Sequence, residues 1–368
     1  MRNSVIALVS NNIATDQRLI KVGNTLQKNG FDFHLIGTKH RGKPNLDYIP
    51  FSTHRANVFF KKNFLFYAEL QLRLFIELFK TKRKNSIILA NDLDTLIPAV
   101  IYAKIFNIPL ITDFHEIFSE MPSLKDGSIQ KKVWKFLERK FVPGLRHTYT
   151  VSDAYAKWFR QEYGIEPKVI KNVPVFRDFS HQTTVEEHNI IIYQGAINQS
   201  RGIDQMILAM NYIANAELWI VGDGPLLEEY KNLAKMNNLE EKVIFHGRVS
   251  PEELRELTPK ANLGLSLEQD NGLSYRYALP NKIFDYIHAG IPILGSCDLP
   301  EMKNIITTFK IGDIIKNHDP VQIAEKIIEL LGVGKANFQE NLKAAANILN
   351  WENQEQALIS IFKKAANE

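Results

Sequence analysis

A lysine and an aspartate stand three residues apart at the start of a predicted helix in LPNKIFDYIHAG, residues 279–290. Residues with this spacing share a helix face. Lys282 could bind a phosphate, and the Asp285 carboxylate could accept both hydroxyls of a ribose. The alternative is a Lys–Asp surface pair, worth roughly a few tenths of a kcal/mol. The polar loop 268–278 favours a ligand site, because long loops at strand ends commonly carry function. Pro280 is expected in the first helical turn. The substrate-binding candidates here are Ser274, Tyr275, Asn281, Lys282 and Asp285.

Two glycine-containing turns follow predicted strands earlier in the same half of the chain. In the segment GAINQSRG, Arg201 lies just before a helix start between Gly195 and Gly202. A guanidinium beside helix-terminal N–H groups can clamp a diphosphate, although a plain strand–turn–helix with a solvated arginine fits equally well. The turn GDGP at 222–225 permits close approach of a ribose or base, or simply makes a tight turn. The candidates here are Gly195, Arg201, Gly222, Asp223 and Gly224.

Polar residues also follow the predicted strands of the first half. His115 and Glu116 come directly after an apolar strand, where a histidine is more often structural than functional. The polar loop 10–18 after the first strand is a candidate wall of a ligand site, although Asp16 is equally plausible as a helix N-cap. Asp92 and Asp94 present the same two alternatives. The candidates in the loop are Asn12, Asp16 and Arg18.

Short β-branched runs alternate with amphipathic segments through the first half. The pattern predicts strands at 4–10, 31–37, 86–92, 109–113, 147–152 and 168–172, with helices over 16–28, 94–106 and 153–163. Apolar strands separated by helices indicate a parallel sheet that is covered on both faces.

The same alternation restarts after the polar stretch 177–189, which we interpret as a domain boundary. It predicts further strands at 190–195, 216–222, 242–247, 261–267 and 291–296. The fold class is therefore α/β, with two tandem Rossmann-like, doubly wound domains facing a cleft. Residues 1–176 form the first domain and 177–349 the second. Ligands are expected beyond the carboxyl ends of the strands.

The composition limits the class of protein. The 368 residues include 45 lysines and arginines against 41 aspartates and glutamates, so bulk charge does not indicate a nucleic-acid partner. A single cysteine, Cys297, excludes an internal disulfide and, on the sequence alone, a cysteine zinc site. The apolar N-terminal run reads as a first strand rather than a signal peptide, and we expect a soluble cytoplasmic protein.

The motifs together resemble a known enzyme family. The segments YQGAINQSRGID, WIVGDGPLLEEYKNLA, VIFHGRVSPEELRELTPKANLGLSL and LPNKIFDYIHAGIPILGS follow the order and spacing of the retaining GT-B glycosyltransferases of family four. DQRLIKVGNTLQKNGFDFHLIG and ANDLDTLIPAVIYAKIFNIPLITDFHEIF look like that family's acceptor domain, so the polar loop 10–18 would form an acceptor-side wall. The resemblance covers nearly the whole chain. It also implies that the C-terminal helix, 350–366, packs back on the first domain.

The resemblance implies roles for individual residues. Arg201 and Lys282 match the basic residues that hold the donor diphosphate, and Asp285 stands where a glutamate usually binds the donor ribose. His115 looks like the histidine that meets the transferred sugar, with Glu116 orienting its ring or facing the acceptor. The catalytic candidates are therefore His115, Glu116, Arg201 and Lys282.

Three positions depart from the family pattern. Asp285 replaces a glutamate, and Ala196 replaces the usual first basic residue of the phosphate turn. The first of the family's paired glutamates would fall on Tyr277, and Glu268 or backbone N–H groups of the loop could substitute for it.

The resemblance implies a retaining, metal-independent, hexosyltransferase-like enzyme without a cofactor, since the nucleotide-diphosphate sugar is a substrate. Its acceptor would be a hydroxyl, in surface polysaccharide or lipid-linked glycan synthesis. No Asp-x-Asp motif and no His/Cys cluster is apparent in the sequence. The alternatives are a sugar-nucleotide epimerase on a similar fold and a non-catalytic nucleotide-sugar-binding partner.

The segment 59–85 mixes phenylalanine and leucine with lysine and arginine. It could lie on an anionic bilayer, placing the protein peripherally at the inner face of the membrane and near a lipid-linked acceptor. It could equally be a helix that packs on its sheet and has basic ends. Both interpretations hold if one face of the helix packs on the sheet while its phenylalanine-rich start projects from the surface.

Overall fold

The structure is a computed structural model that describes residues 3–10, 13, 16–38, 49–60, 63–81, 85–179 and 188–368. The chain divides into two compact units. The first consists of Met1–Asn172 with Glu352–Glu368, and the second is Val173–Trp351. The division therefore falls four residues before the predicted boundary at 176/177, and most of the polar stretch 177–189 lies outside the described residues.

The first unit is built on a seven-stranded parallel sheet, in the order β3-β2-β1-β4-β5-β6-β7. Its strands are β1 (Ser4–Leu8), β2 (Asp32–Thr38), β3 (Ser52–Ala56), β4 (Ser86–Asn91), β5 (Leu110–Phe114), β6 (His147–Thr150) and β7 (Lys168–Val169). Its helices are α1 (Gln17–Lys28), α2 (Asn63–Thr81), α3 (Leu93–Phe106), α4 (Ile129–Phe141) and α5 (Asp153–Tyr163).

Side-chain caps begin several of these helices. Ser128 accepts a hydrogen bond from the Lys131 N–H at the start of α4, and Ser152 accepts one from Tyr155 at the start of α5. Gly164 ends α5 in the left-handed conformation that glycine adopts without steric cost.

The second unit is built on a six-stranded parallel sheet, in the order β10-β9-β8-β11-β12-β13. Its strands are β8 (Asn189–Gln194), β9 (Ala216–Val221), β10 (Val243–Gly247), β11 (Leu263–Ser266), β12 (Ile293–Gly295) and β13 (Gly312–Ile314). Its helices are α6 (Ile203–Ala209), α7 (Leu227–Met236), α8 (Pro251–Leu257), α9 (Leu273–Arg276), α10 (Lys282–His288), α11 (Pro300–Phe309), α12 (Pro320–Val333) and α13 (Gln339–Ile348).

Strand β8 is buried on both faces. Ile191 and Tyr193 belong to one hydrophobic cluster, and the alternating Ile190 and Ile192 belong to another. A strand that feeds two cores is typical of a sheet with helices on both sides. The predicted tandem Rossmann-like α/β architecture is confirmed.

The last helix, α14 (Trp351–Ala366), contributes most of its length to the first unit. The Thr25 hydroxyl donates to Glu355 at 2.6 Å, and the Lys171 backbone N–H donates to Gln354 at 3.0 Å. Phe362 is fully buried and packs edge-on against Phe31.

Two edge strands, β3 and β13, carry no signal that the sequence pattern detects. Strand β3 reads STHRA and alternates between exposed and half-buried positions until its last residue, Ala56, which is buried. An edge strand hydrogen-bonds to a neighbour on one side only and does not need a continuous apolar run. Among the described residues, no helix is long and apolar enough to cross a membrane.

Candidate functional site

The carboxyl ends of β8 and β9 are joined by tightly packed glycine turns. A Cβ atom on Gly222 would lie 1.8 Å from the Gly195 carbonyl oxygen, and one on Gly224 would lie 2.2 Å from that of Ile197. The Gly195 N–H donates to Val221 at 2.9 Å. These glycines are therefore required where the two turns touch, whatever else they bind. Asp223 is exposed and caps its own turn, accepting from the Gly224 N–H at 2.8 Å.

Close backbone packing also explains the glycine at position 202. A Cβ at this position would lie 2.3 Å from the carbonyl oxygen of Leu267, just after β11. Its φ of +71° is also one that glycine adopts readily. Packing against Leu267 therefore accounts for this glycine independently of any ligand.

Lys282 is buried and forms an ion pair with Glu268. The Nζ–Oε1 distance is 2.5 Å, and the two side chains are 9% and 2% exposed. Nζ also lies 4.0 Å from the centroid of the Tyr193 ring, in cation–π geometry. Helix α10 begins at Lys282, so Pro280 precedes the helix rather than occupying its first turn as predicted.

Glu268 is held as a carboxylate by its neighbours. Burial alone would raise its pKa, but Lys282, the Ser266 hydroxyl and Arg201 outweigh burial and lower it. Ser266 donates to the second oxygen at 2.7 Å. Glu268 therefore lies beside Lys282, the lysine predicted to bind phosphate. The sequence analysis gives Glu268 as one substitute for the missing family glutamate.

Arg201 extends the same charged cluster. Its guanidinium lies 3.9 Å from Glu268 and 5.2 Å from the centroid of the Tyr275 ring. Its Nε is buried and has no hydrogen-bond partner among the described residues. A buried donor without a partner costs about 1–3 kcal/mol, so this nitrogen is available to a ligand. Arg201 and Lys282, which lie 81 residues apart by number, thus converge on one carboxylate.

Asp285 is exposed and lies beside the end of β8. It accepts a hydrogen bond from the Gln194 amide at 3.0 Å, and Gln194 in turn accepts from the Thr258 hydroxyl at 2.9 Å. Lys282 and Asp285 therefore contact adjacent strand residues, Tyr193 and Gln194. The sequence analysis did not identify three of these contact residues, namely Gln194, Thr258 and Tyr193.

The remaining candidates of this unit surround that cluster. Ser274 is buried in the short helix α9, and Tyr275 beside it contacts Arg201. Asn281 is exposed at the N-cap position of α10, but its side chain does not cap the helix.

A second constellation lies at the carboxyl ends of β4 and β5 in the first unit. Arg18 and Asp113 are buried and paired through two hydrogen bonds, of 2.8 and 3.0 Å. The other guanidinium nitrogen, Nη1, donates to the Ile170 carbonyl at 2.9 Å. Arg18, predicted as part of an acceptor-side wall, instead lies beneath the surface. Its partner Asp113 was missed, although a carboxylate inside the apolar run PLITDF could have signalled it.

His115 lies between two carboxylates. Its Nε2 is 2.7 Å from Asp113, and its Nδ1 is 3.3 Å from Asp92. Burial alone would lower the pKa of His115, but the charges of Asp113 and Asp92 outweigh burial and raise it to about 9. The ring is therefore an imidazolium at neutral pH. It is 22% exposed, so it remains accessible to a ligand.

Asp92 also holds the backbone of the His115–Glu116 turn. One carboxylate oxygen accepts from the His115 N–H at 2.7 Å and the Glu116 N–H at 3.3 Å. The residue has φ 61° and ψ 172°, a region that is almost restricted to glycine and costs about 1–3 kcal/mol. It occupies the N-cap position of α3 without capping it, so the N-cap alternative for its side chain is wrong.

The other candidates of the first unit differ in burial. Asp16 caps α1, accepting from the Leu19 N–H at 3.0 Å, as its structural alternative predicts. Burial raises the pKa of Asp92 to about 7 and that of Asp94 to about 8. Glu116 is exposed. Asn12 lies outside the described residues.

Two family models match the chain in succession. Residues 17–178 match Glycosyltransferase Family 4, and residues 176–348 match Glycosyl transferases group 1. No curated protein matches the chain in sequence.

Solved glycosyltransferases share the fold. Sucrose-phosphate synthase from Thermosynechococcus elongatus superposes with a TM-score of 0.82 at 15% identity, over 99% of each chain. Anabaena Alr3699/HepE in complex with UDP-glucose gives 0.76 at 15% identity, over 98% of this chain and 99% of that one. WaaG, a glycosyltransferase involved in lipopolysaccharide biosynthesis, gives 0.72 at 16% identity, over 97% and 99%.

Proposed function

Because the chain belongs to the group 1 glycosyltransferases of GT-B fold, as its two family models together indicate, we propose that it moves a sugar from a nucleotide-diphosphate donor to a hydroxyl acceptor with retention. The observation that carries this proposal is the convergence of Lys282 and Arg201 on Glu268, with Arg201 Nε left without a hydrogen-bond partner in the part of the chain that the structure describes. A doubly charged diphosphate would satisfy that nitrogen and compete with Glu268 for Lys282.

The charges of this cluster act on the leaving group. As the bond from the anomeric carbon to phosphate oxygen breaks, Lys282 and Arg201 stabilise the charge that develops on the diphosphate. The acceptor oxygen bonds to the same face of the anomeric carbon, and its proton passes to the departing phosphate oxygen. The two side chains supply the positive charge, so we propose that transfer needs neither a metal ion nor a cofactor.

Asp285 is the proposed ribose ligand. Its carboxylate is exposed and accepts a hydrogen bond from Gln194, and a carboxylate at an exposed position can accept from sugar hydroxyls. HepE binds UDP-glucose, which makes a UDP-sugar the first donor to test.

His115 is the proposed sugar contact of the first unit, with Asp92 and Asp113 as positioning residues. Asp113 holds the imidazolium through Nε2 at 2.7 Å, so a sugar hydroxyl would accept from Nδ1, whose contact with Asp92 is longer at 3.3 Å. Glu116, whose N–H is fixed by Asp92, presents an exposed carboxylate for the acceptor.

A panel of nucleotide sugars tests the function. Slow release of free sugar with retained configuration supports a transferase, and release should persist after exhaustive chelation. An isomerised donor would instead indicate the epimerase, and saturable binding without turnover would indicate a non-catalytic partner.

We also propose that α2 contacts an anionic membrane that carries a lipid-linked acceptor. Its residues Leu70, Leu74 and Leu78 are buried, whereas Leu72 and Ile76 are 59% and 38% exposed. One face therefore packs while another projects apolar side chains, as an interfacial helix requires. Phe59, before the helix, is 76% exposed. The basic residues Lys82, Arg83 and Lys84 follow in sequence but lie outside the described residues.

Vesicle co-sedimentation tests the membrane contact. The protein should bind phosphatidylcholine vesicles containing phosphatidylglycerol more tightly than vesicles of phosphatidylcholine alone. The double variant Leu72→Ser/Ile76→Ser should lose binding, whereas Ile348→Ser, at a 56% exposed position of the second unit, should not. Equal binding by all three proteins would refute the contact.

A further inference from the structure

Three side chains with metal-binding atoms meet at the carboxyl ends of β12 and β13, apart from the charged cluster around Glu268. The Cys297 Sγ lies 3.2 Å from one oxygen of Asp298, and His318 Nε2 lies 3.1 Å from the other. The ligand atoms of all three residues lie within 4.8 Å of one another. Cys297 and Asp298 follow β12, and His318 follows β13.

The two separations that involve Asp298 are close to those that a tetrahedral zinc ion imposes. Zinc bonds of about 2.0–2.3 Å to nitrogen, oxygen and sulfur place neighbouring ligand atoms about 3.3–3.6 Å apart. The pairs at 3.1 and 3.2 Å would need only a small rotation of the carboxylate to bind one ion. Side-chain exposures of 19% for His318 and 27% for Asp298 leave the position accessible from solvent.

The surroundings of the three residues also suit a ligand. Asp298 also accepts from the Asp270 N–H at 3.0 Å, and the Cys297 thiol also contacts the Lys316 carbonyl at 3.5 Å. Thiolate, imidazole and carboxylate together form a ligand set that favours zinc over the hard ions magnesium and calcium.

We propose that Cys297, Asp298 and His318 bind a zinc ion. Three protein ligands leave the fourth position to water. The ligands come from two loops about 20 residues apart, so no local cysteine or histidine motif indicates a metal site in the sequence. The sequence-based argument against a cysteine zinc site assumed that several cysteines are needed. This site uses one.

Zinc bound here would act on the loop 268–278. Asp298 anchors that loop through the Asp270 N–H, and Asp270 in turn accepts from the Gly272 N–H at 3.2 Å and pairs with Arg276. The same loop carries Glu268 and Tyr275. Zinc and nucleotide affinities should therefore be linked, and linkage requires that each ligand alter the affinity of the other by the same factor.

Cobalt substitution tests the site on the full-length, chelator-treated protein. One equivalent of Co²⁺ should produce a thiolate-to-cobalt charge-transfer band and visible bands of tetrahedral intensity, and one equivalent of Zn²⁺ should abolish both. Cys297→Ser should remove the charge-transfer band. His318→Gln should weaken zinc binding at least about tenfold, as loss of a ligand requires.

His246→Gln is the matched control, because His246 lies on β10 at the opposite edge of the same sheet. It should bind zinc like the wild type, and circular dichroism should confirm that all variants are folded. Zinc should raise the melting temperature of the wild type and of this control only. Absence of the cobalt bands, or unchanged zinc affinity in His318→Gln, would overturn the proposal. Sugar transfer is measured separately with the donor panel, so failure of the zinc site and failure of the proposed function are distinguishable.

Discussion

The Lys282 ammonium lies 2.5 Å from the buried carboxylate of Glu268, 14 residues earlier in the chain. Glu268 neutralises the lysine in the absence of a ligand, and Arg201 supplies the remaining positive charge 3.9 Å away. A diphosphate that binds here must compete with Glu268 for Lys282. Substitutions of either residue therefore test the proposed site.

Lys282→Ala should reduce kcat by about two orders of magnitude or more, because one preorganised charge at the leaving group is lost. Steady-state rates with a UDP-sugar measure the effect, and Lys231→Ala, at a surface pair on α7, is the control. Near wild-type turnover in Lys282→Ala would exclude this role for the lysine.

Lys282→Ala should also destabilise the second unit, because Glu268 would remain buried without its main partner. Removing one member of a buried ion pair costs about 3–5 kcal/mol. Adding Glu268→Gln should restore much of the unfolding free energy but not kcat. Recovery of kcat in the double variant would mean that the rate loss reflects stability alone.

Titration of His115 should show a pKa of about 9, and Asp92→Asn should lower it because one of two neighbouring carboxylates is lost. The charged groups acting on the ring are Asp113, Asp92 and Arg18, and NMR of the imidazole protons measures the shift. A wild-type pKa near 6.5 would contradict the ion-pair geometry.

The same shift predicts a pH dependence of stability. The folded pKa of His115 is raised, so its contribution is complete below pH 6.5 and is lost as pH rises through about 9. Urea unfolding between pH 6 and 10 should show this decline in the wild type, and a weaker decline in His115→Gln. If the unfolding free energies of the wild type and His115→Gln changed in parallel with pH, a stabilising imidazolium at His115 would be ruled out.

Asp92 should respond differently to alanine and glycine. Both variants lose the acceptor for the His115 and Glu116 N–H groups, but only glycine adopts φ 61° and ψ 172° without strain. Asp92→Ala should therefore unfold about 1 kcal/mol more easily than Asp92→Gly. Both should lose turnover if Asp92 positions the turn, whereas full activity in either would make its role structural.

Gly222→Ala should destabilise the second unit by about 3 kcal/mol or more, because its Cβ would lie 1.8 Å from the Gly195 oxygen and the backbone would have to move. Gly30→Ala is the control, since its φ is also positive but no atom lies within 4 Å of the added carbon. Thermal unfolding compares the two, and similar melting temperatures would contradict the packing of the glycine turns.

Amino-acid pattern alone predicted most of the architecture. Runs such as IILA (87–90) and IIIY (190–193) lack charged and amide side chains because their strands are buried on both faces, and burial leaves this mark within a few residues of sequence. Strand β3 was missed because an edge position does not require that mark. Arg201 and Lys282 stood out because glycine turns and a helix start signal a phosphate site locally.

Which side chains the charged and metal-binding residues contact was decided by the tertiary structure. Arg18 pairs with Asp113 across 95 positions, Lys282 with Glu268 across 14, and Cys297 meets His318 from a separate loop. Strand and helix signals come from neighbouring residues, so they can be read along the chain. Which charges meet depends on the order in which strands cross the sheet, and only the folded chain brings those ends together.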